Sequence, residues 1–246
     1  MKVIAYIRSF IAIIFVVLFY TVFSLIMLPI LWLIGKINLL AREKTARAIS
    51  NTCLRFVAFV VGVKTKVSGL ENIPDKPCLI VSNHRSFFDV ITAYPTMKDY
   101  RLGFVGKKEF GKVYTFKIWM LYCGCIFLDR DNPREGLRTI NETAELIKGG
   151  RYMWIYPEGT RNHGQELLEF KEGSFRIAEK AGCPIVPAAH VHTDDAFELH
   201  MPYVTPTTVG LHFGKPLETA GLKRAELKEV YAKCILEIDR LYKENY

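Results

Sequence analysis

The feature that most constrains this chain is an uncharged apolar segment of 27 residues at positions 9–35. A secretory signal peptide has an apolar core of only about 7–15 residues, followed by a small-residue cleavage site. No such site follows this segment. As one helix it would be about 40 Å long, against a hydrocarbon core of about 30 Å in a bilayer. The sequence therefore predicts an anchor that stays on the mature protein.

Two geometries fit this anchor. Pro29 lies inside the apolar segment, where a proline breaks or kinks a helix. A mixed stretch with charges in its middle follows, INLLAREKTARAISNTCLRFVAFVVGV. A single tilted crossing and two helices folded back onto one leaflet explain the proline and the charges equally well. A buried core helix is the third alternative, which the length of the segment disfavours.

The charge of the chain favours a membrane surface over nucleic acid. The formal net charge is +8, and within residues 1–48 the only acidic residue among six basic ones is Glu43. Basic residues that flank an apolar segment are typical of contact with anionic lipid. No basic helix or RNA-binding motif accompanies them, so nucleic acid is not an expected partner. The six cysteines form no CxxC pair, which favours reduced thiols in a domain at the cytoplasmic face of the cell membrane.

Beyond Gly62 the pattern becomes that of an α/β domain. Short β-like runs such as CLIVSN, FFDVITAY, LGFVGK and RYMWIYPEG alternate with helical patterns such as GLRTINETAELIKGG. We therefore predict membrane-anchoring helices over residues 1–62. Residues 63–246 are predicted to form a mixed central β-sheet flanked by helices.

The motif NHRSFFD places His84 and Asp89 five positions apart, directly after a predicted strand. Residues five apart on one helix point about 140° apart. The two side chains can therefore meet only if His84 precedes the helix, in the strand-to-helix turn. Ser86 would then cap the helix, and its spacing to Asp89 resembles a capping box. The motif fits a catalytic dyad, in which Asp89 orients His84 as a general base, and also a simple helix start.

Two later motifs carry charge at the ends of predicted strands. GCIFLDR ends in Arg130, which is placed to hold a phosphate or to pair with a neighbouring aspartate. YPEGTR brings Glu158 and Arg161 together on a tight loop. They can position a hydroxyl and bind an anion, or form a structural salt bridge.

A metal site is not expected. In HVHTDD, His190 and His192 would share one face of a strand, but no third ligand follows at a recognised spacing. The signatures GxSxG, HExxH and GxxxxGK[ST] are absent, so the chain carries none of these nucleophile, zinc or phosphate-loop motifs.

In their order and spacing, NHRSFFD, GCIFLDR, YPEGTR and CPIVPAA resemble the four blocks of the glycerolipid acyltransferase family, over roughly residues 64–217. The size and the apolar N terminus are similar to its lysophosphatidate acyltransferases. The resemblance implies that His84 is the general base and Asp89 its orienting carboxylate. It also implies a set of residues that bind the glycerol phosphate: Lys107, Arg130, Glu158, Gly159, Thr160 and Arg161.

Pro187 falls in the fourth block, which shapes the acyl side of the site in this family. Two residues depart from the family pattern. Arg85 stands where glutamine is common, and Tyr156 where phenylalanine is usual. Neither change removes a reacting group, although Arg85 would add an anion contact or alter substrate preference.

The implied reaction moves an acyl group from an acyl thioester to the sn-2 hydroxyl of 1-acylglycerol-3-phosphate, which forms phosphatidic acid. Acyl-CoA or acyl carrier protein would be the co-substrate, and no cofactor is expected. N–H donors at the start of the Ser86 helix would stabilise the oxyanion. The alternatives are a different acceptor, such as glycerol-3-phosphate or another lysophospholipid, and a non-catalytic lipid-binding protein at the membrane surface.

Overall fold

The computed structural model describes residues 2–129, 132–164 and 166–246. The N-terminal part forms a helical hairpin, so the two-helix geometry is present. Its first arm joins α1 (Lys2–Leu18), a π-helical turn (Phe19–Phe23) and α2 (Ser24–Ile37). Its second arm is α3 (Leu39–Val61). Asn38 between them is extended, and its side chain accepts a hydrogen bond from the Ala41 N–H, which caps α3.

Pro29 does not break the first arm; the other predicted effect, a kink, stays a prediction. It lies inside α2, which continues to Ile37. A proline removes only one N–H from the ladder of helix hydrogen bonds, and the turns on either side remain helical. The irregular element of this arm is instead the π-helical turn at Phe19–Phe23.

In the described residues, seven strands form one sheet in the order β1-β7-β6-β2-β5-β3-β4. The sheet is mixed, as predicted. Five of them, β2 to β6, are parallel to one another, whereas β1 and β7 run in the opposite direction. The strands are β1 (Lys64–Ser68), β2 (Leu79–Ser82), β3 (Leu102–Lys107), β4 (Ile126–Leu128), β5 (Tyr152–Ile155), β6 (Ile185–Val191) and β7 (Thr208–Phe213). The predicted boundary at residue 62 lies between the end of α3 and the start of β1, and it stays a prediction.

Helices cover both faces of the sheet. They are α4 (Phe88–Thr96), α5 (Tyr114–Tyr122), α6 (Pro133–Lys148), α7 (Arg176–Ala181) and α8 (Arg224–Asn245). Alternate residues of a strand point to opposite faces. On β5, Trp154 packs in a core with the hairpin, α4 and α5, while Met153 and Ile155 pack in a second core with α6, α7 and α8.

The run FFDVITAY is helical and not a strand. Its residues belong mostly to α4, which begins at Phe88, so the helix start predicted from Ser86 is right to within two residues. The β-branched residues Val90 and Ile91 suit a strand locally. Tertiary packing overrides that preference, because α4 lies against α3 and buries Phe88, Ala93 and Tyr94.

The hairpin packs along the domain. The Val204 N–H donates to Ser9 Oγ at 2.8 Å, and Trp119 Nε1 donates to Ser24 Oγ at 2.8 Å. Ser9 and Ser24 are separated by about 22 Å of helix. The domain therefore contacts the first arm over much of its length.

Candidate active site

The motifs predicted to carry the chemistry follow strands at one edge of the sheet. The carboxyl ends of parallel strands meet at the same edge, where ligands bind in open α/β folds. β2 leads into NHRSFFD, β5 into YPEGTR and β6 into HVHTDD, while β3 ends at Lys107. Arg130 follows β4 but lies outside the described residues.

The His84–Asp89 pair forms as its spacing required. His84 lies in the turn before α4, and its Nδ1 is 2.6 Å from Asp89 Oδ2. An ionised carboxylate only accepts hydrogen bonds, so Nδ1 carries the hydrogen and Nε2 presents a lone pair. Nε2 makes no hydrogen bond with any described residue. The ring stacks on Tyr156, with centroids 4.2 Å apart and an angle of 20° between the rings.

Asp89 is held rigidly below the histidine. Oδ2 also accepts the N–H groups of Arg85 at 2.7 Å and Ser86 at 3.0 Å, while Oδ1 accepts the Thr193 hydroxyl at 2.5 Å. Complete burial would raise the pKa of this carboxyl group. The imidazoles of His190 and His84 and the Ser86 N–H outweigh burial and lower its pKa to about 2. Asp89 therefore stays ionised beside His84.

The same residues also cap the helix. Ser86 Oγ accepts the N–H of Phe88 at 2.9 Å, and Asp89 returns a bond to the Ser86 N–H. This is close to the reciprocal pattern of a capping box. The dyad geometry and the helix cap are thus present together.

The N–H groups of the turn that leads into α4 are occupied, which weakens the expectation that they stabilise an oxyanion. The N–H groups of residues 84–88 all have side-chain acceptors: Glu158, Asp89 for two of them, Glu198 and the hydroxyl of Ser86. Because carboxylates and a hydroxyl accept these N–H groups, the groups serve to fix the position of His84. None of the five is therefore free to act as an oxyanion donor.

Glu158 is buried and supports the turn that carries His84. Its Oε1 accepts the His84 N–H at 2.7 Å, and its Oε2 accepts the N–H of Leu168 at 3.0 Å. Asn162 adds a bond from its own N–H to the His84 carbonyl at 2.8 Å. Burial raises the pKa of Glu158, although these donors oppose the shift. In this geometry Glu158 positions the histidine, and its predicted role in binding the glycerol phosphate stays a prediction.

The rest of the YPEGTR loop is more open. Gly159 has φ +77°, a conformation that favours glycine, and Thr160 is exposed. Arg161 is about one third exposed, and its Nη1 lies 2.9 Å from Glu198 Oε1. Its guanidinium stacks 4.0 Å above the centroid of the Phe87 ring, which places it beside the turn that follows His84.

Glu198 is a site residue that no sequence motif indicated. It lies in a short 3-10 turn (Glu198–His200), more than 100 residues from the turn it contacts. Its almost fully buried carboxylate accepts the Ser86 hydroxyl at 2.6 Å and the Phe87 N–H at 3.0 Å, in addition to Arg161. Only the folded chain brings these donors together.

We expect Glu198→Ala to lower the free energy of unfolding by about 2–3 kcal/mol, because it leaves three donors without their acceptor. Guanidinium unfolding in detergent measures this change. Glu218→Ala is the matched control, since its bond to Lys76 at 3.0 Å joins two side chains that are both more than half exposed. That variant should lose less than about 1 kcal/mol. Equal losses would show that Glu198 has no special structural role.

Lys107 and Pro187 have different surroundings. Lys107 ends β3 as a half-exposed side chain, and its Nζ lies 3.5 Å from Glu109. The adjacent Lys108 bonds to Asp129 at 2.6 Å, so basic side chains border the predicted phosphate region. Pro187 is buried inside β6, where it is paired in register with Val81.

The guanidinium of Arg85 is engaged by protein groups, which does not favour an added anion contact; an altered substrate preference stays a prediction. Arg85 is buried, and its Nε and Nη2 donate to the two oxygens of Asp194 at 3.0 and 2.7 Å. Its Nη1 donates to the Gly164 carbonyl at 2.7 Å and to the Tyr242 hydroxyl at 2.6 Å. Arg85 therefore joins the turn that carries His84 to α8 and to two neighbouring loops.

The histidines of HVHTDD do not converge on one site. β6 ends at Val191, and His192 adopts φ 58°, where it pairs with Asp195 at 2.9 Å. His190 is fully buried beside Trp154, and its Nδ1 is 3.8 Å from Asp89 Oδ1. The expectation of a shared strand face was wrong because the strand stops before His192. Within the described part of the chain, no group of three His, Cys, Asp or Glu residues is placed to hold a metal.

His190 gives the fold a predicted sensitivity to acid. Burial lowers its pKa from 6.5 to about 4, despite the opposing charge of Asp89. The unfolded chain therefore takes up this proton more readily. The part of the free energy of unfolding that depends on a neutral His190 is fully present above about pH 6.5. It falls by about 3 kcal/mol as the pH falls toward 4. In His190→Leu, the free energy of unfolding should fall less steeply between pH 7 and pH 4, and parallel pH profiles would contradict this assignment.

A family model described as Acyltransferase matches residues 64–191. Because the match covers more than half of the chain, the chain belongs to the acyltransferase family, which confirms the resemblance seen in the motifs. It is 30% identical over 204 residues to the 1-acyl-sn-glycerol-3-phosphate acyltransferase of Saccharomyces cerevisiae, covering 80% of this chain and 66% of that one. It is 38% identical over 126 residues to 1-acyl-sn-glycerol-3-phosphate acyltransferase BAT2, chloroplastic, of Brassica napus, covering 50% of this chain and 36% of that one.

The fold has a solved counterpart. The crystal structure of the 1-acyl-sn-glycerophosphate (LPA) acyltransferase PlsC from Thermotoga maritima superposes with a TM-score of 0.78 at 23% identity, covering 98% of this chain and 97% of that one. The two chains therefore share a fold. The present chain spans between 36% and 66% of the length of the two curated relatives above.

Proposed function

We propose that this protein transfers an acyl group from an acyl thioester to the sn-2 hydroxyl of 1-acylglycerol-3-phosphate, with His84 as general base. One observation carries the proposal. His84 is bonded through Nδ1 to the buried Asp89 at 2.6 Å, and its Nε2 makes no bond with a described residue. This is the arrangement that a positioned general base requires.

The choice of acceptor rests on charge and on the relatives. Arg161 and Lys107 are cations at the edge of the sheet that carries His84, and a guanidinium can bind phosphate in a bidentate manner. Both curated relatives above are named as 1-acyl-sn-glycerol-3-phosphate acyltransferases. Because Arg161 is already paired with Glu198, a bound phosphate would either share the guanidinium with that carboxylate or displace it.

The proposed reaction needs no nucleophile from the protein. His84 Nε2 takes the proton of the sn-2 hydroxyl as its oxygen attacks the thioester carbonyl. The tetrahedral intermediate then collapses, the C–S bond breaks, and the imidazolium returns the proton to the thiolate. Asp89 holds the ring and stabilises the imidazolium. Coenzyme A and acyl carrier protein would both supply such a thioester.

We also infer association with a membrane through the hairpin. Its first arm, Lys2–Ile37, is long and apolar enough to span a bilayer, yet few residues of its most apolar part are buried in the protein. Large apolar side chains such as Ile7, Ile14 and Leu25 are exposed. The contacts at Ser9 and Ser24 hold this arm along the domain, which favours a hairpin that lies in one leaflet. We expect the domain at the cytoplasmic face, where acyl thioesters are made.

The test is acyl transfer in detergent with a panel of acceptors. We expect product with 1-acylglycerol-3-phosphate from acyl-CoA, acyl carrier protein or both. Glycerol-3-phosphate and a lysophosphatidylcholine are the comparison acceptors. Activity mainly with either of these would retain the transferase and overturn the acceptor. No activity with any acceptor and either donor would favour a lipid-binding protein.

A further inference from the structure

A basic groove lies at the edge of the sheet opposite His84. This groove is a cavity of about 530 Å³ between α3 and the turn that precedes β3. From α3 it is lined by Leu40, Lys44, Arg47 and Asn51, which are spaced three or four residues apart and so share one helix face. From the turn it is lined by Lys98, Asp99 and Arg101, among other residues.

Positive charge exceeds negative charge in the groove. Four lining residues are cationic, and two, Glu43 and Asp99, are acidic. Glu43 is already neutralised, since it accepts bonds from Arg101 at 2.8 and 2.7 Å and from Arg151 at 2.7 Å. Lys44 and Lys98 are exposed and form no ion pair with any residue that the structure describes. The groove is thus complementary to an anion.

Two polar atoms of the groove residues are buried without a partner. Arg47 Nε and Asn51 Oδ1 form no hydrogen bond within the described chain. The Arg47 guanidinium is nevertheless fixed, because its Nη2 donates to the carbonyls of Lys98 and Tyr100. A buried N–H without an acceptor is costly. Both atoms are closed to solvent in the structure, and a small shift of either side chain toward an oxygen-rich ligand or an ordered water in the groove would give it a partner.

The lip of the groove is apolar and adjoins the hairpin turn. Ile37 is 91% exposed, and Leu39 and Leu40 are each 62% exposed. Lys44 and Arg47 follow Leu40 by about 6 and 10 Å along α3. An apolar chain at the lip and a phosphate in the groove are therefore close enough together to belong to one lipid molecule.

We propose that this groove binds the phosphate of an anionic membrane lipid headgroup. The apolar lip at Leu40 favours a lipid over free phosphate, since a lipid offers an acyl chain as well as a phosphate at this position and free phosphate has no apolar part. The site is separate from His84 and the proposed acyl transfer. It would fix the depth and orientation of the domain on an anionic membrane.

Sedimentation with lipid vesicles tests the proposal. Phosphatidylcholine vesicles with and without phosphatidylglycerol are the probes, because phosphatidylglycerol is neither the acceptor nor the product of the proposed reaction. We expect the wild-type protein to prefer the anionic vesicles. The double variant Lys44→Glu/Lys98→Glu should lose at least about 10-fold of its partition onto them, at about 1 kcal/mol or more per reversed charge.

Lys180→Glu/Lys233→Glu is the matched control, with the same change in net charge. Both lysines are exposed and lie on α7 and α8, on the face of the sheet away from the hairpin. This control should change partition less than about 2-fold. Equal losses in the two double variants, or no loss in the groove variant, would overturn the proposal.

Calorimetry separates a lipid from free phosphate. Dihexanoyl phosphatidylglycerol, below its micelle concentration, should bind the wild-type protein at least 10-fold more tightly than inorganic phosphate does. The groove variant should lose this binding but keep acyl transfer in detergent. Equal affinity for the two ligands would contradict a lipid site, whereas loss of acyl transfer alone would bear only on the proposed enzymatic function.

Discussion

The variant His84→Ala is expected to lose at least about 100-fold of kcat for acyl transfer, while it remains folded and bound to membranes. The reason is the loss of the imidazole whose Nδ1 is held by Asp89 at 2.6 Å and whose Nε2 makes no hydrogen bond with a described residue. A positioned general base contributes roughly 10²–10⁴-fold. Initial rates in detergent, normalised to folded protein, measure the effect.

His192→Asn is the control for this variant. His192 lies beyond β6 at φ 58°, a conformation that asparagine tolerates, and pairs with Asp195 away from the dyad. It should keep activity within about 2-fold of wild type. Wild-type activity in His84→Ala would mean that His84 is a structural turn residue, and the proposed mechanism would be wrong.

The variant Asp89→Asn is expected to reduce kcat by roughly 10³–10⁴-fold, as when the carboxylate of a related catalytic arrangement is replaced by an amide. The carboxylate accepts bonds from His84 and from two N–H groups of the turn. An amide in its place would present its NH₂ group to some of these donors. The histidine would then lose its orientation and its preferred tautomer.

Because Asp89 is buried, the fold of this variant must be checked by its unfolding midpoint in detergent. Thr193→Val is the graded control. It removes the hydroxyl that donates to Oδ1 at 2.5 Å but leaves the bond to His84 in place. We expect it to retain activity within about 10-fold of wild type. A folded Asp89→Asn protein as active as Thr193→Val would show that the carboxylate does not act through the histidine.

Local pattern correctly predicted several elements. The helical periodicity of GLRTINETAELIKGG became α6, and the charge-free N-terminal run became the first arm of the hairpin. FFDVITAY was wrong as a β-like run, because its β-branched residues pack as a helix against α3. Among the site residues, too, local spacing predicted one arrangement correctly and another wrongly. The spacing of His84 and Asp89 set the geometry they adopt, whereas the spacing in HVHTDD did not show that the strand ends at Val191.

The sequence by itself determined the apolar N-terminal helix, the alternation of strands and helices, and the pairing of His84 with Asp89, because each depends on residues close together in the chain. Tertiary structure alone decided what surrounds that pair. Glu198, Thr193 and Asp194 reach NHRSFFD from more than 100 residues away and engage the turn or its arginine. The N–H donors of the turn became occupied, and Arg85 became an internal link. Such contacts depend on how strands order themselves in a sheet, and no local spacing encodes that order.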